Sequence, residues 1–402
     1  MVDTTEKFLE APLGSSRRGF LKGILAGAVS LGSYELAAQM ISGPKASSVR
    51  GWGVPPGLVR LSGNEMPIGP SPRAVEAILQ NVSSFNRYNR NMDIYRKIAE
   101  RHELPVVDPV PNTFTPPGAW VTLGCGSSEV LFAVASAFLR NGGEMVEAAP
   151  GYGGVYRTAG AYGATVKWIS LDENYQQDLE KMKSAINENT RVVVVTNPGN
   201  PTGVLVSRDR LKKFVEEVPS DVIVFVDEAY IEFAKNPEDR IGAAPLILDH
   251  ANVIVARTFS KIMGMAGLGV GYGLARPEVI ETLNANKGGR VSMLSTNAAV
   301  AGMDDHNYQD RAREVTWAGQ EYFTNHFDEM GLEYVPSQSS FMLINVRKDA
   351  GEVVRKLKEE YNVMVGNGKS RWKMDTWLRV TSGLQEENEA FISALKKVLV
   401  SS

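Results

Sequence analysis

The stretch Val253–Tyr272, VIVARTFSKIMGMAGLGVGY, constrains what this chain can fold into more than any other. An apolar, β-branched run delivers a short polar turn and a lysine, and a segment rich in Gly, Ala and Met follows. That order describes a strand buried on both faces which empties into a loop at its carboxyl end. Three more apolar runs end in the same way. Trp120–Leu123 leads into GCGSSE (Gly124–Glu129), Arg191–Thr196 into NPGNPTG (Asn197–Gly203), and Val222–Val226 into DEAY (Asp227–Tyr230). In an open parallel sheet ligands bind beyond the carboxyl ends of the strands, so these tails and Lys261 are expected to converge on one crevice.

Taken alone, Ser260-Lys261 closes a surface turn or supplies an amine. An amine with its pKa lowered by burial and a nearby cation forms a Schiff base to a carbonyl cofactor. The other tails carry chemistry that complements an amine. Gly126, Ser127 and Ser128 open a helix expected over Glu129–Arg140. Small residues at a helix start leave backbone N–H groups unpaired at the positive end of the dipole, an anion cradle to which both hydroxyls can add. A serine N-cap explains the same run locally. Asp227 ends so apolar a strand that its charge is costly without a cationic partner. Cys125, between Gly124 and Gly126, reads as a packed small residue rather than a reactive thiol.

With these motifs in this order, the chain from about Leu61 onward resembles the fold-type I pyridoxal phosphate enzymes. Within them it is most similar to the histidinol-phosphate aminotransferase branch of the class I/II aminotransferases. The resemblance implies an α/β fold: a large domain with a mostly parallel, seven-stranded-type sheet, and a smaller α+β C-terminal domain. It implies pyridoxal 5'-phosphate as cofactor, with Lys261 holding it covalently and later moving a proton. Asp227 would face the pyridine nitrogen, and Asn197 and Tyr230 the phenolic oxygen. Tyr152, after the strand Glu144–Ala148, would stack on the ring; relatives that condense acyl-CoA carry histidine there. Gly126, Ser127, Ser128 and Ser260, with Thr258, would hold the phosphate. Tyr88 would reach the cofactor of a neighbouring subunit, which implies a homodimer. Arg379, in WLRVTSG, would hold the substrate carboxylate, with Asn64 lining the substrate pocket. The chain departs from the family pattern at Asn89, at Ser340 and above all at Gly269, where relatives carry a phosphate-binding arginine. Arg290, Lys287 and Arg257 are the candidates to replace it.

Before Leu61 the chain is of another kind. Ser16-Arg17-Arg18-Gly19-Phe20-Leu21-Lys22 precedes a short apolar stretch rich in Gly and Ala, the pattern of a twin-arginine export signal. The stretch is short for a stable membrane span. Residues 1–44 are therefore expected to be a signal peptide read by the twin-arginine machinery, 45–85 an N-terminal arm, 86–288 the large domain and 289–402 the small one. A periplasmic location follows. It sets histidinol phosphate aside as substrate, because histidine synthesis is cytoplasmic. With 43 Lys and Arg against 46 Asp and Glu, the net charge is −3, and no basic field is available for nucleic acid.

The resulting expectation is an exported aminotransferase working between an amino acid or related amine and a 2-oxo acid. The departures at Asn89 and Gly269 keep three other reactions open on the same scaffold, those of a lyase, a decarboxylase and an amino-acid oxidase. A non-catalytic cofactor-binding protein is the remaining alternative.

Overall fold

The computed structural model describes residues 49–87, 91–110 and 113–400. The export pattern and Tyr88 lie outside the described residues. The described residues belong to one compact unit, and the twelve strands among them form two sheets.

The larger sheet is built from β2 (Val121–Cys125), β3 (Glu144–Ala149), β4 (Thr165–Ser170), β5 (Thr190–Thr196), β6 (Ile223–Asp227), β7 (Val253–Thr258) and β8 (Val270–Leu274). Its order is β2-β8-β7-β6-β5-β3-β4. The pairs from β4 to β7 are parallel, while β8 runs antiparallel to both β7 and β2. Strand β2 therefore points the same way as β7, and its carboxyl end emerges on the same edge. The central strands are apolar because helices cover both faces: every residue of β6 and β7 is buried, whereas edge strand β4 has only half-buried and exposed residues. Val146, Val193, Val195, Val224, Val226 and Val255 share the main core with Phe259 and Ile262. Val192, Val194, Phe225 and Ile254 face a second cluster formed with the helix Ser127–Phe138.

The smaller sheet has the order β1-β11-β12-β10-β9, from β1 (Val59–Leu61), β9 (Glu333–Val335), β10 (Phe341–Asn345), β11 (Val363–Asn367) and β12 (Trp377–Thr381). An early strand, β1, pairs in parallel with the late β11, so the segment after Leu61 runs out of this sheet and reaches the site. The sheet has its own core, with Leu61, Phe323, Phe327, Ile344, Leu378 and Phe391. The helix expected from Glu129 begins two residues earlier, at Ser127.

Candidate active site

The tails of β2, β3, β5, β6 and β7 leave the larger sheet at one edge, where Asn197 meets Asp227 and Lys261 lies near Tyr230. Asp227 is the last residue of β6, and its backbone carbonyl accepts from Asn197 N at 2.8 Å. Its carboxylate is buried and accepts only the Ala229 amide, at 3.2 Å, among the described residues. Burial pushes that carboxyl up to about 6; the Ala229 bond opposes the shift, Glu228 adds to it, and Lys261 opposes it. A buried acid in this state is a natural partner for a cationic ring nitrogen.

Lys261 is half-buried, with Nζ 5.6 Å from the centre of the Tyr230 ring. No carboxylate lies within ion-pairing distance of it among the described residues. Tyr230 is buried edge-on against Phe341, and its hydroxyl accepts from Asn64 Nδ2 at 2.8 Å. The Asn197 amide is clamped by the backbone of Val206, Nδ2 donating to its carbonyl (3.1 Å) and Oδ1 accepting its N–H (2.8 Å). One Nδ2 hydrogen is left for a ligand.

At the end of β2 the helix Ser127–Phe138 has Gly126 as its N-cap, with no side-chain cap. The serine N-cap explanation therefore fails, because the capping position has no side chain and neither serine closes the first turn. The Glu129 amide donates to Gly126 O at 3.3 Å, which leaves the amides of Ser127 and Ser128 at the open end of the helix, where the two side chains are half-buried and exposed. Strand β8 makes room for this turn with a glycine: a Cβ on Gly271 would stand 2.3 Å from Ser127 N and 2.7 Å from Gly126 C. The cradle is thus built for backbone approach to an anion. Gly269, where the resemblance leads one to expect an arginine, has φ +57 and open space where a Cβ would be.

Several expectations at this end are corrected. Cys125 is exposed rather than packed, because only glycines flank it and the helix turns away after Gly126. Thr258 is not free for a phosphate: its hydroxyl accepts from Ser260 N (3.1 Å) and reaches Val270 O (3.5 Å). Arg257 is not free either. Nε donates to Glu228 Oε2 at 2.9 Å and Nη2 to Ile241 O at 2.8 Å, with Glu232 3.9 Å from Nη1. Lys287 is turned to the flank of β2, donating to Thr122 Oγ1 at 2.6 Å and to Leu123 O, and burial lowers its ammonium to about 8. Arg290 is exposed and lies 4.2 Å from the centre of the Phe114 ring.

The smaller sheet contributes Arg379 from β12. Nη1 donates to Asn200 Oδ1 (2.7 Å) and Nη2 to Ser62 O (3.0 Å), while Nε has no partner among the described residues. The guanidinium is buried, 5.0 Å from the ring centres of both Phe341 and Trp372. Burial pulls it down to about 10, and Arg371 lowers it further against the opposing influence of Tyr230. A buried cation with no carboxylate partner among the described residues suits an anionic ligand. Asn64, expected in the substrate pocket, instead spends its side chain on Tyr230 and Thr381.

Sequence reasoning passed over Asn200, Thr381 and Glu147. Asn200 was visible as the second Asn-Pro of NPGNPTG. Glu147 was visible as an acid inside an apolar strand: its Oε1 accepts Gly153 N at 3.0 Å, next to Tyr152, and its buried Oε2 has no partner among the described residues. Burial pushes its carboxyl up to about 7; the Gly153 amide opposes this and Asp227 reinforces it.

The model of the family described as aminotransferase class I and II matches residues 56–395. Histidinol-phosphate aminotransferase 2 of Pseudomonas aeruginosa is 38% identical over 352 residues, covering 86% of this chain and 90% of that protein. The histidinol-phosphate aminotransferase of Moorella thermoacetica is 36% identical over 343 residues, 85% of this chain and 86% of that one. Among solved structures, the histidinol-phosphate aminotransferase of Sinorhizobium meliloti in complex with pyridoxal-5'-phosphate superposes with a TM-score of 0.76. It is 24% identical and covers 86% of this chain and 91% of its own.

Proposed function

The chain belongs to the aminotransferase class I and II family, and from that premise we propose that it transfers the amino group of an anionic amine to a 2-oxo acid. It is a pyridoxal-phosphate-dependent aminotransferase. The donor class proposed for the exported protein is an α-amino acid; histidinol phosphate, on the strength of the relatives' names, is the donor instead if the protein stays in the cytoplasm. The observation that carries the donor class is Arg379, whose planar fork suits a carboxylate or a phosphate equally.

The site fits the cofactor on three features: the uncapped turn at Ser127, the raised carboxyl of Asp227 and the unpaired amine of Lys261. When bound, the cofactor supplies an electron sink for a carbanion at the substrate α-carbon. In this reading the Lys261 amine carries the proton to and from that carbon. Asp227 would keep a proton on the ring nitrogen, Tyr152 would lie beside the ring, and Asn197 and Tyr230 would donate to the phenolic oxygen. Gly126, Ser127, Ser128 and Ser260 hold the phosphate.

The chain acts as a homodimer in this proposal, with Tyr88 reaching across. Supporting this, Trp52, Phe85 and Phe114 are exposed large apolar residues on either side of Tyr88 in the sequence. The twin-arginine pattern supports export of the folded, loaded protein to the periplasm. Replacing Arg17 and Arg18 with lysine and fractionating cells tests that point: the protein should stay in the cytoplasm, and unchanged export would remove the assignment.

The deciding experiment for the reaction is the absorbance of the protein reconstituted with pyridoxal phosphate, recorded with amino acids and with histidinol phosphate. The expected visible band is lost with a true donor and returns only on adding a 2-oxo acid. Turnover without any acceptor sinks the transfer reading. A band that persists unchanged in Lys261→Ala sinks the role of Lys261.

A further inference from the structure

The Asn64 side-chain amide links Thr381 to Tyr230. The Asn64 backbone N–H donates to Thr381 Oγ1 at 3.1 Å, so the hydrogen of that hydroxyl is free for another acceptor. Asn64 Oδ1 lies 3.1 Å away and takes it. With the amide oxygen committed to Thr381, Nδ2 faces Tyr230, where it donates at 2.8 Å. An amide nitrogen only donates, so the Tyr230 oxygen accepts and its own hydrogen points elsewhere. Asn64 and Tyr230 are 2% and 5% exposed, so water competes little for these bonds. Asn64 also adopts φ +53, a left-handed conformation that asparagine tolerates better than most residues. Two residues earlier Ser62 O accepts from Arg379, which lies two residues before Thr381 on β12. The segment Ser62–Asn64 is thus tied to β12 at two points and to Tyr230 at a third.

We infer that Asn64, held by Thr381, is a positioning residue that turns the Tyr230 hydroxyl hydrogen toward the cofactor's phenolic oxygen. The inference rests on the role given to Tyr230 under the proposed function. A donated hydrogen stabilises negative charge on that oxygen; a Tyr230 hydroxyl free to rotate does so less.

The test is a pH titration of the visible band of the full-length protein loaded with pyridoxal phosphate, with the thermal midpoint measured alongside. Asn64→Ala is expected to raise the titration midpoint by roughly 0.5–1 pH unit, the size of one loosened hydrogen bond to a charged oxygen. Asn64→Asp, whose carboxylate accepts the Tyr230 hydrogen, should raise it further. Thr381→Val, which keeps the shape and loses the hydroxyl, should move it in the same direction, and Thr381→Ser should restore the wild-type midpoint. Unmoved midpoints in Asn64→Ala and Thr381→Val overturn the inference, as does a lower thermal midpoint with no spectral shift, which marks a merely structural role. If Asn64→Ala folds poorly, the isosteric Thr381→Val decides. A wild-type protein that binds no cofactor fails earlier, at the reading of the site itself.

Discussion

Arg257 on β7 and Arg379 on β12 are both buried, yet the ends of the two sheets treat them in opposite ways. Burial works against the charge of Arg257, but Glu228, Tyr272 and Glu232 together outweigh it, and the guanidinium is held above its ordinary value. Arg379 has two aromatic rings, an amide oxygen and a carbonyl around it, and burial lowers it to about 10. One arginine is finished by the fold. The other is left for a ligand to finish, so the same residue type is a brace in one sheet and a binding group in the other. Two buried acids show the same contrast: Glu228 is ion-paired, while Glu147 keeps an oxygen without a partner among the described residues.

Removing the brace is expected to have the largest effect. Glu228→Ala leaves Arg257 largely uncompensated beneath the site, which should cost about 3–5 kcal/mol in denaturant unfolding. A loss below about 1 kcal/mol would show that the surrounding carbonyls suffice without the acid.

Arg379→Ala should separate activity from stability. Losing a forked contact to the substrate anion is expected to lower kcat/KM for carboxylated substrates by about 10²–10³, roughly 3–4 kcal/mol, in steady-state kinetics. The thermal midpoint of the free protein should hold or rise, since an unpaired buried charge has been removed. Arg379→Lys should recover little, because an ammonium lacks the fork. Equal losses of activity and stability would place Arg379 with Arg257 as a brace.

Glu147→Gln turns the comparison of acids into a pH experiment. The folded carboxyl, raised to about 7, keeps its proton where the unfolded chain has lost it, so stability falls as pH rises from the ordinary carboxylate range toward 7. The variant cannot ionise. It should match the wild type near pH 4 and be the more stable protein at pH 8, by up to about 3 kcal/mol in urea unfolding. Parallel stability curves for the two proteins would show that Glu147 does not titrate in this range.

The smallest effect is that of supplying the missing anion. A small dicarboxylate such as malonate, at tenfold excess over its Kd, should stabilise the wild type by about 1.4 kcal/mol and raise its thermal midpoint by about 2 °C. Arg379→Ala should show no such rise, and neither should a neutral amide analogue with the wild type. A rise in Arg379→Ala equal to that of the wild type would move the anion site elsewhere.

Legibility in the sequence followed how local the physics was. The buried strands were readable because each is a continuous apolar run, and their polar tails were readable because strand ends must turn. Asp227 and Lys261 stood out from those tails, and Asn197 and Tyr230 through the family resemblance that the tails carry. The replacement for the arginine missing at Gly269 could not: Arg257, Lys287 and Arg290 are alike as letters, and only their neighbours decide that the first is ion-paired and the second turned to the flank of β2. Cys125 was misjudged because a thiol between glycines looks packed in one dimension, while the turn after Gly126 leaves it exposed.

By itself the sequence determined the mostly parallel sheet and the polar tails at its edge, since these depend on periodicity and on residues adjacent in the chain, while the family came from the resemblance those motifs carry. Only the tertiary structure decided which charges are spent and which are available. Pairing Arg257 with Glu228, handing Asn64 to Tyr230 and seating Arg379 against Asn200 all join residues far apart in the chain. Whether a buried polar group is satisfied depends on distances of about 3 Å that no linear pattern encodes.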